Sequence, residues 1–192
     1  MGCFLAITGG MFAAPLPGVA IQPLGKVKAE DIAIVKAGIV ALYAVSVEIL
    51  PEKPLPKVAY YPPRDRYKSD KILDALEAEK TADIVKTIGL TTWDISTTKD
   101  DVQDWGIFGQ GQLGGSSCVV STFRLRAGKA SDKLFHERLV KVVNHELGHT
   151  FGLDHCPTEG CFMRDAGGKI ATVDGESGKP CAKCAARLPL VN

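Results

Sequence analysis

Apolar residues recur along this chain at two periods, and the switches between them mark its elements. From Val19 to Leu24 they run together as a short buried strand does. Ile32, Val35, Ile39 and Leu42 then fall at helical spacing, with Glu30 and Asp31 in the first turn, where the helix dipole favours negative charge. Val45, Val47 and Ile49 alternate with polar residues as a half-buried strand, stopped by Pro51 and Pro54. A proline-rich bend over residues 60–65 leads to a second helix around Ser69 to Lys80, with Ile72, Leu73 and Leu76 inward. Residues 84–91 form another apolar run of strand length. Strand, helix, strand, helix, strand is the order of an α/β layer with parallel pairing.

Residues 106–115 hold five glycines in ten positions and read as a loop or bulged ribbon. Cys118 to Leu125 reads as a strand, with Arg124 and Arg126 near its end. A further helix is predicted to start near Ser131. In it Leu139, Val143, Leu147 and Phe151 form an i, i+4 stripe that Val140 and Val142 widen. A helix apolar over most of its circumference is buried centrally. No internal repeat or low-complexity linker interrupts the chain, so residues 21–192 are expected to form one compact unit. Residues 1–20 are apolar and uncharged, and stand as an unassigned extension or a weak signal-like segment. They lack a basic n-region and offer only a small-x-small site ending at Ala20.

Charge excludes some partners. Lys plus Arg is 23 against 22 for Asp plus Glu, which leaves no global field to attract nucleic acid or an acidic membrane surface. No apolar run reaches the roughly 18 residues of a spanning helix. Neither nucleic acid nor membrane is expected as a partner, and the chain is expected to act as a monomer. A cytoplasmic location is expected, with export as the alternative that the apolar N-terminus leaves open.

The central helix carries the chemistry. His145 and His149 are four residues apart, so on a helix they point the same way, within reach of one ion at zinc–nitrogen distances of about 2.0–2.1 Å. Gly152, three residues on, can end the helix at positive φ, and His155 can then swing under the metal as third ligand, leaving a fourth position for water. Glu146 lies about 100° round the helix from His145, too far to share the ligand cone but able to flank that water as a general base. His136, the fourth histidine, reads as a plain helix residue. A bare pair of helical histidines beside a Glu often only satisfies a core. Here three of four histidines fall in one eleven-residue string with glycine at the turn.

Four of the six cysteines crowd into the last 37 residues: Cys156, Cys161, and the C-x-x-C pair Cys181 and Cys184. Two pairs at this separation have the arithmetic of a closed structural zinc site, and Lys179 and Lys183 beside the second pair favour thiolates. Two disulfides are the competing reading. Cys3 and Cys118 are isolated and read as free thiols.

With these residues in hand, the chain resembles the archaemetzincin family of metzincin peptidases, whose pattern is HExxHxxGxxHC, four residues, C-x-M, seventeen residues, C-x-x-C. This sequence has His145-Glu146, His149, Gly152 and His155-Cys156, then Cys161-Phe162-Met163, and after seventeen residues Cys181 and Cys184. The resemblance is strong over residues 113–184, and Arg138 and Lys141 ahead of the motif echo it faintly. It implies an α+β, α/β/α-like metzincin fold: a mixed twisted sheet with an edge strand over the zinc helix, and a small C-terminal zinc-binding lobe from about residue 153. It makes Met163 the Met-turn residue, a hydrophobic floor under the catalytic zinc. It places the substrate edge strand at Gly114, Gly115, Ser116, Ser117, Cys118, Val119 and Val120, although the Val119-Val120 pair suits an interior strand equally well. The implied activity is hydrolysis of peptide bonds in peptides or proteins by a zinc-activated water with Glu146 as base, using two zinc ions per chain, one catalytic and one structural. A zinc hydrolase acting on RNA and a non-catalytic zinc-stabilised interaction module are the rival readings. Glu146 and the near-zero charge weigh against the first, and an intact Glu146 would be unexplained in the second.

Overall fold

The computed structural model describes residues 18–80 and 84–191. Cys3 and the signal-like reading of the N-terminus up to residue 17 lie outside them. The boundary drawn at residue 21 falls inside the first strand, β1 (Gly18–Leu24).

β1 feeds α1 (Ala29–Leu42), whose Val35 and Ile39 are buried, and β2 (Ser46–Ile49) runs parallel to β1. Ile49, expected on the buried side, is exposed. Two short strands, β3 (Tyr60–Tyr61) and β4 (Arg66–Lys68), precede α2 (Ser69–Ala78). On α2, Ile72, Leu73 and Leu76 all face inward, as their spacing predicts. β5 (Lys86–Thr91) pairs with β1 in parallel. β6 (Ile95–Lys99) and β7 (Val102–Ile107) form an antiparallel hairpin turned at Asp100, which the hydrophobic pattern does not reveal. β8 (Gly109–Gly111) and β9 (Ser117–Ser121) complete the strands. The strand expected to run to Leu125 stops at Ser121, and Phe123–Arg126 is a single tight helical turn with Leu125 buried.

The strands form two sheets. The larger has the order β2-β1-β5-β9-β8, parallel except for β8, and the smaller has the order β3-β4-β6-β7. The long helix α3 (Asp132–Thr150) starts where Ser131 caps it, its side chain accepting from the Leu134 N–H at 3.2 Å. α3 and α1 cover one face of the large sheet, and there Leu139, Val143 and Leu147 meet Ile88, Leu90, Cys118 and Val120. α2 covers the other face, against Leu24 and Val119. The residues of β9 therefore alternate between two buried faces, which is why the strand reads as continuously apolar. His136 is more than a plain helix residue, since its Nε2 lies 3.1 Å from the buried Asp31 of α1.

β9 is not an edge. It pairs with β5 on one side and β8 on the other, so the expected edge strand at Gly114 to Val120 is displaced. The edge of the large sheet beyond β9 is β8, inside the glycine-rich stretch read as a loop. Gly114 and Gly115 form a turn instead, with the Gly114 N–H donating to His149 O and Lys86 Nζ bridging Gly115 O and Thr150 O. Ser116 and Ser117 donate to Glu77, on the α2 side.

Beyond α3 a lobe of two short helices, α4 (Ile170–Gly175) and α5 (Ala182–Ala185), packs its own small core of Leu153, Phe162 and Met163. Among the described residues no helix is long and apolar enough to cross a membrane.

Candidate active site

The last two turns of α3 present His145 and His149 on one face. Gly152 follows at φ +88, a conformation glycine reaches without strain, and the chain turns back to bring His155 beside them. The three rings sit 4.7, 5.5 and 4.9 Å apart between centroids. Their ligand nitrogens all lie within 4.8 Å of one another.

Hydrogen bonds fix which nitrogen is free. His145 Nδ1 lies 2.7 Å from Phe162 O, and His149 Nδ1 lies 2.7 Å from Leu153 O. A carbonyl only accepts, so each Nδ1 carries the proton and each Nε2 turns a lone pair inward, with the two Nε2 atoms 3.0 Å apart. Facing lone pairs at that distance are an arrangement that a shared cation resolves. Burial, reinforced by the neighbouring His149, holds His145 down to about 4, so it stays neutral and able to ligate. The donor set, the tautomers and the spacing all suit zinc.

Glu146 lines the same cleft, beneath β8. Burial pushes its carboxyl up to about 8, against a hydrogen bond from the Gly111 N–H that favours the ionised form. β8 lies this close because it carries glycine at alternate positions. A Cβ on Gly109 would come within 2.6 Å of Glu146 Cγ, and one on Gly111 within 2.4 Å of Glu146 O. Register then sets the edge. Phe108 O accepts from the Ser121 N–H and the Gln112 N–H donates to Ser117 O, so residues 108, 110 and 112 bond to β9. The main-chain groups of Gly109 and Gly111 turn to the open side. A cleft of about 420 Å³ runs between this edge, the β6–β7 hairpin and the lobe, lined by Trp105, Phe108, the three histidines and Glu146.

The lobe supplies the floor. Met163 is fully buried beneath the helix, where a Cβ on Gly148 would lie 2.6 Å from its Sδ. Next to it stand the four lobe cysteines, all free thiols, with Cys156 and Cys181 sulfurs 3.8 Å apart and Cys161 and Cys184 sulfurs also 3.8 Å apart. All four sulfurs lie within 4.8 Å of one another. Tetrahedral ligands at a zinc–sulfur distance of about 2.3 Å stand about 3.8 Å apart, so the tetrad has the size of a zinc site. The Cys184 N–H pulls the Cys181 thiol down to about 6 and the Thr158 hydroxyl lowers Cys156, whereas burial raises Cys161 and Cys184, so two of the four thiols favour the thiolate without a cation.

The structure thus gathers His145, Glu146, His149 and His155 at one cleft, with Met163 below and the tetrad behind. Of the expected edge-strand residues, Ser117 to Val120 lie inside the sheet. Gly109, Gly111, Trp105 and Gly148 were missed. The signal for the first two was present as a Gly-x-Gly at strand period beside an apolar helix. Arg138 and Lys141 hold the lobe: Arg138 binds Asp174 through two nitrogens at 2.7 and 2.8 Å, and Lys141 Nζ donates to Val173 O.

Residues 29–189 match the model of peptidase family M54. The archaemetzincin of Halobacterium salinarum is 31% identical over 173 residues, covering 86% of this chain and 96% of its own. That of Methanopyrus kandleri is 36% identical over 130 residues, 68% of this chain and 70% of its own. Among solved structures, the Archaeoglobus fulgidus archaemetzincin complexed with malonate superposes with a TM-score of 0.76 at 30% identity, covering 89% of this chain and 99% of that one. The Methanopyrus kandleri structure gives 0.77 at 29%, covering 89% and 92%.

Proposed function

The chain belongs to peptidase family M54, the archaemetzincins, and is a zinc metallopeptidase acting on peptides or proteins; we propose that His145, His149 and His155 hold its catalytic zinc and that Glu146 is its general base. Three inward-facing imidazoles with a buried carboxylate at one cleft carry this reading. Zinc in such a site supplies Lewis-acid polarisation of a carbonyl and a water acidified to a pKa of about 7. Phe162 O and Leu153 O hold the imidazoles in the ligating tautomer. Glu146 takes the proton from the attacking water and returns it to the departing amine. The Gly111 N–H steers the carboxylate and favours its ionised form.

Substrate lies along β8 rather than β9. The outward main-chain groups of Gly109 and the carbonyl of Gly111, whose N–H is held by Glu146, can bond an extended peptide whatever its side chains, with the scissile bond beside the histidines. Met163 is the floor of the site, and Cys156, Cys161, Cys181 and Cys184 hold a second, structural zinc, giving two per chain. Four thiolates of this kind suit a reducing compartment, in keeping with a cytoplasmic location. Membership of a peptidase family disfavours both the RNA-hydrolase and the non-catalytic readings.

The test is hydrolysis of a quenched-peptide library by the zinc-loaded protein, with and without chelator, beside the Glu146→Ala variant. Chelator-sensitive cleavage lost in the variant is expected. Cleavage that survives in Glu146→Ala at full rate would overturn the assignment of the base.

A further inference from the structure

The cleft continues past the histidines towards the start of α3, one helical turn on, where Lys141 and Val142 face Val173 and Glu176 of the lobe. Glu176 follows directly after α4 and is 7% exposed. Among the described residues no hydrogen bond or ion pair reaches its carboxylate, yet it lines the cleft. Lys141 is the obvious partner, but its ammonium is committed to Val173 O at 3.0 Å and Asp174 O at 3.2 Å. Arg164 is exposed and acts on Glu176 only through space. Burial pushes the carboxyl up to about 7 even though both cations favour the ionised form.

The frame around this acid is fixed. Arg138 is buried and anchors α4 through Asp174, while its Nη1 donates to Leu125 O and Ala127 O. The backbone that carries Glu176 is therefore held against the cleft. A carboxylate held in an apolar wall with no donor is unfavourable unless something else brings one. Here the open side is the substrate cleft.

We propose that Glu176 is a specificity-determining residue that selects a basic side chain, lysine or arginine, in the substrate residue adjoining the scissile bond. Val142 and Val173 receive the methylene stem and Glu176 the charged head, the division that long cationic side chains favour. The rise of helix between His145 and Lys141, about 6 Å, sets a depth that a long side chain spans and a short one does not. An acidic side chain would meet a buried carboxylate and be rejected.

The proposal rests on the peptidase reading, and its test separates the two. A peptide set differing only at the residues flanking the cleaved bond (Lys, Arg, Gln, Leu, Glu) is offered to the zinc-loaded wild type and to Glu176→Gln. The wild type is expected to favour Lys and Arg over Gln and Leu by at least about tenfold in kcat/KM. Glu176→Gln, which keeps the shape of the side chain, should lose that preference while its rate on the Leu peptide stays within about twofold. A wild type that prefers Leu, or treats Gln like Lys, overturns the proposal. So does a variant that keeps the basic preference or slows on every peptide alike. Cleavage of no peptide at all by the wild type would sink the peptidase reading instead. In that case binding decides: zinc-loaded Glu146→Ala should bind the Lys peptide at least about tenfold tighter than Glu146→Ala/Glu176→Gln, and equal binding overturns the assignment.

Discussion

Gly148 of the long helix rests directly on Met163 of the lobe, so closely that a Cβ on the glycine would stand 2.6 Å from the methionine sulfur and 3.3 Å from the Phe162 ring. His145 and His149 flank that glycine on the helix, and the carbonyl of Phe162 orients the His145 ring. The helix and the turn beneath it are thus one unit. Gly148→Ala must push the two apart, and overpacking of this kind costs about 1–3 kcal/mol. Met163→Ala opens a cavity under the histidines and costs about 2–5 kcal/mol. Denaturant titration is expected to show both losses, with weaker zinc retention in Gly148→Ala. An alanine there that leaves stability and metal affinity unchanged would contradict the close packing.

With Glu146 proposed as a base and not a ligand, its loss should separate chemistry from structure. Its carboxyl is buried and costly to ionise there. Glu146→Ala is therefore expected to melt no lower than wild type and to keep its zinc. Activity should fall by about 10²–10⁴-fold, the range for a lost general acid–base group. Loss of metal from the variant, seen by elemental analysis, would make Glu146 part of the ligand shell.

Zinc release should occur in two stages. The histidine site opens on the cleft and includes the exposed His155, whereas Cys161 and Cys184 are buried in the lobe core. Mild chelation is expected to remove one ion with loss of activity and little change in far-UV circular dichroism. The second should leave late, with unfolding of the lobe, because a closed thiolate site contributes its binding free energy to folding. Two ions lost together, or one ion per chain in the purified protein, would contradict two independent sites.

Acid should weaken the clamp between α3 and the lobe. The hydrogen bond from Arg138 holds the Asp174 carboxyl below its ordinary value of 3.8. A group lowered in the folded state contributes stability that is present above the unfolded value and lost as pH falls through the folded one. Stability of the wild type should therefore drop more steeply below about pH 4 than that of Asp174→Asn, which starts lower but lacks this contribution. Parallel pH profiles of the two proteins would show that the clamp carries no such linkage.

The histidine and cysteine clusters were legible because their information is local. Two histidines share a helix face by spacing alone, Gly152 turns the chain where the third is needed, and two cysteine pairs return to one point. The same locality gave α1, α2 and the first parallel strands. The β6–β7 hairpin was not legible, because Thr97, Thr98 and Lys99 are polar and partly exposed, so the strand presents no alternation to read. Glu176 could not be recognised because its importance lies in a missing partner, which only the arrangement of Lys141 and Asp174 reveals.

Edge and interior were exchanged for a physical reason, and that exchange yields a test. Val119 and Val120 are buried on opposite faces, so β9 reads as equally suited to either place, while glycine in β8 reads as a turn. What decides is the helix beneath, because only a strand without side chains can lie against Glu146. Proline at Val119 is expected to disrupt an interior strand bonded on both sides, lowering stability by about 3 kcal/mol or more. Gly109→Ala should leave the sheet ladder intact, because residue 109 bonds outward, but drive a methyl group into the Glu146 side chain, which can yield only by moving the base. Its kcat should therefore fall while the fold and both zinc ions persist. A Val119→Pro protein as stable as wild type, with raised KM alone, would return the substrate ledge to β9.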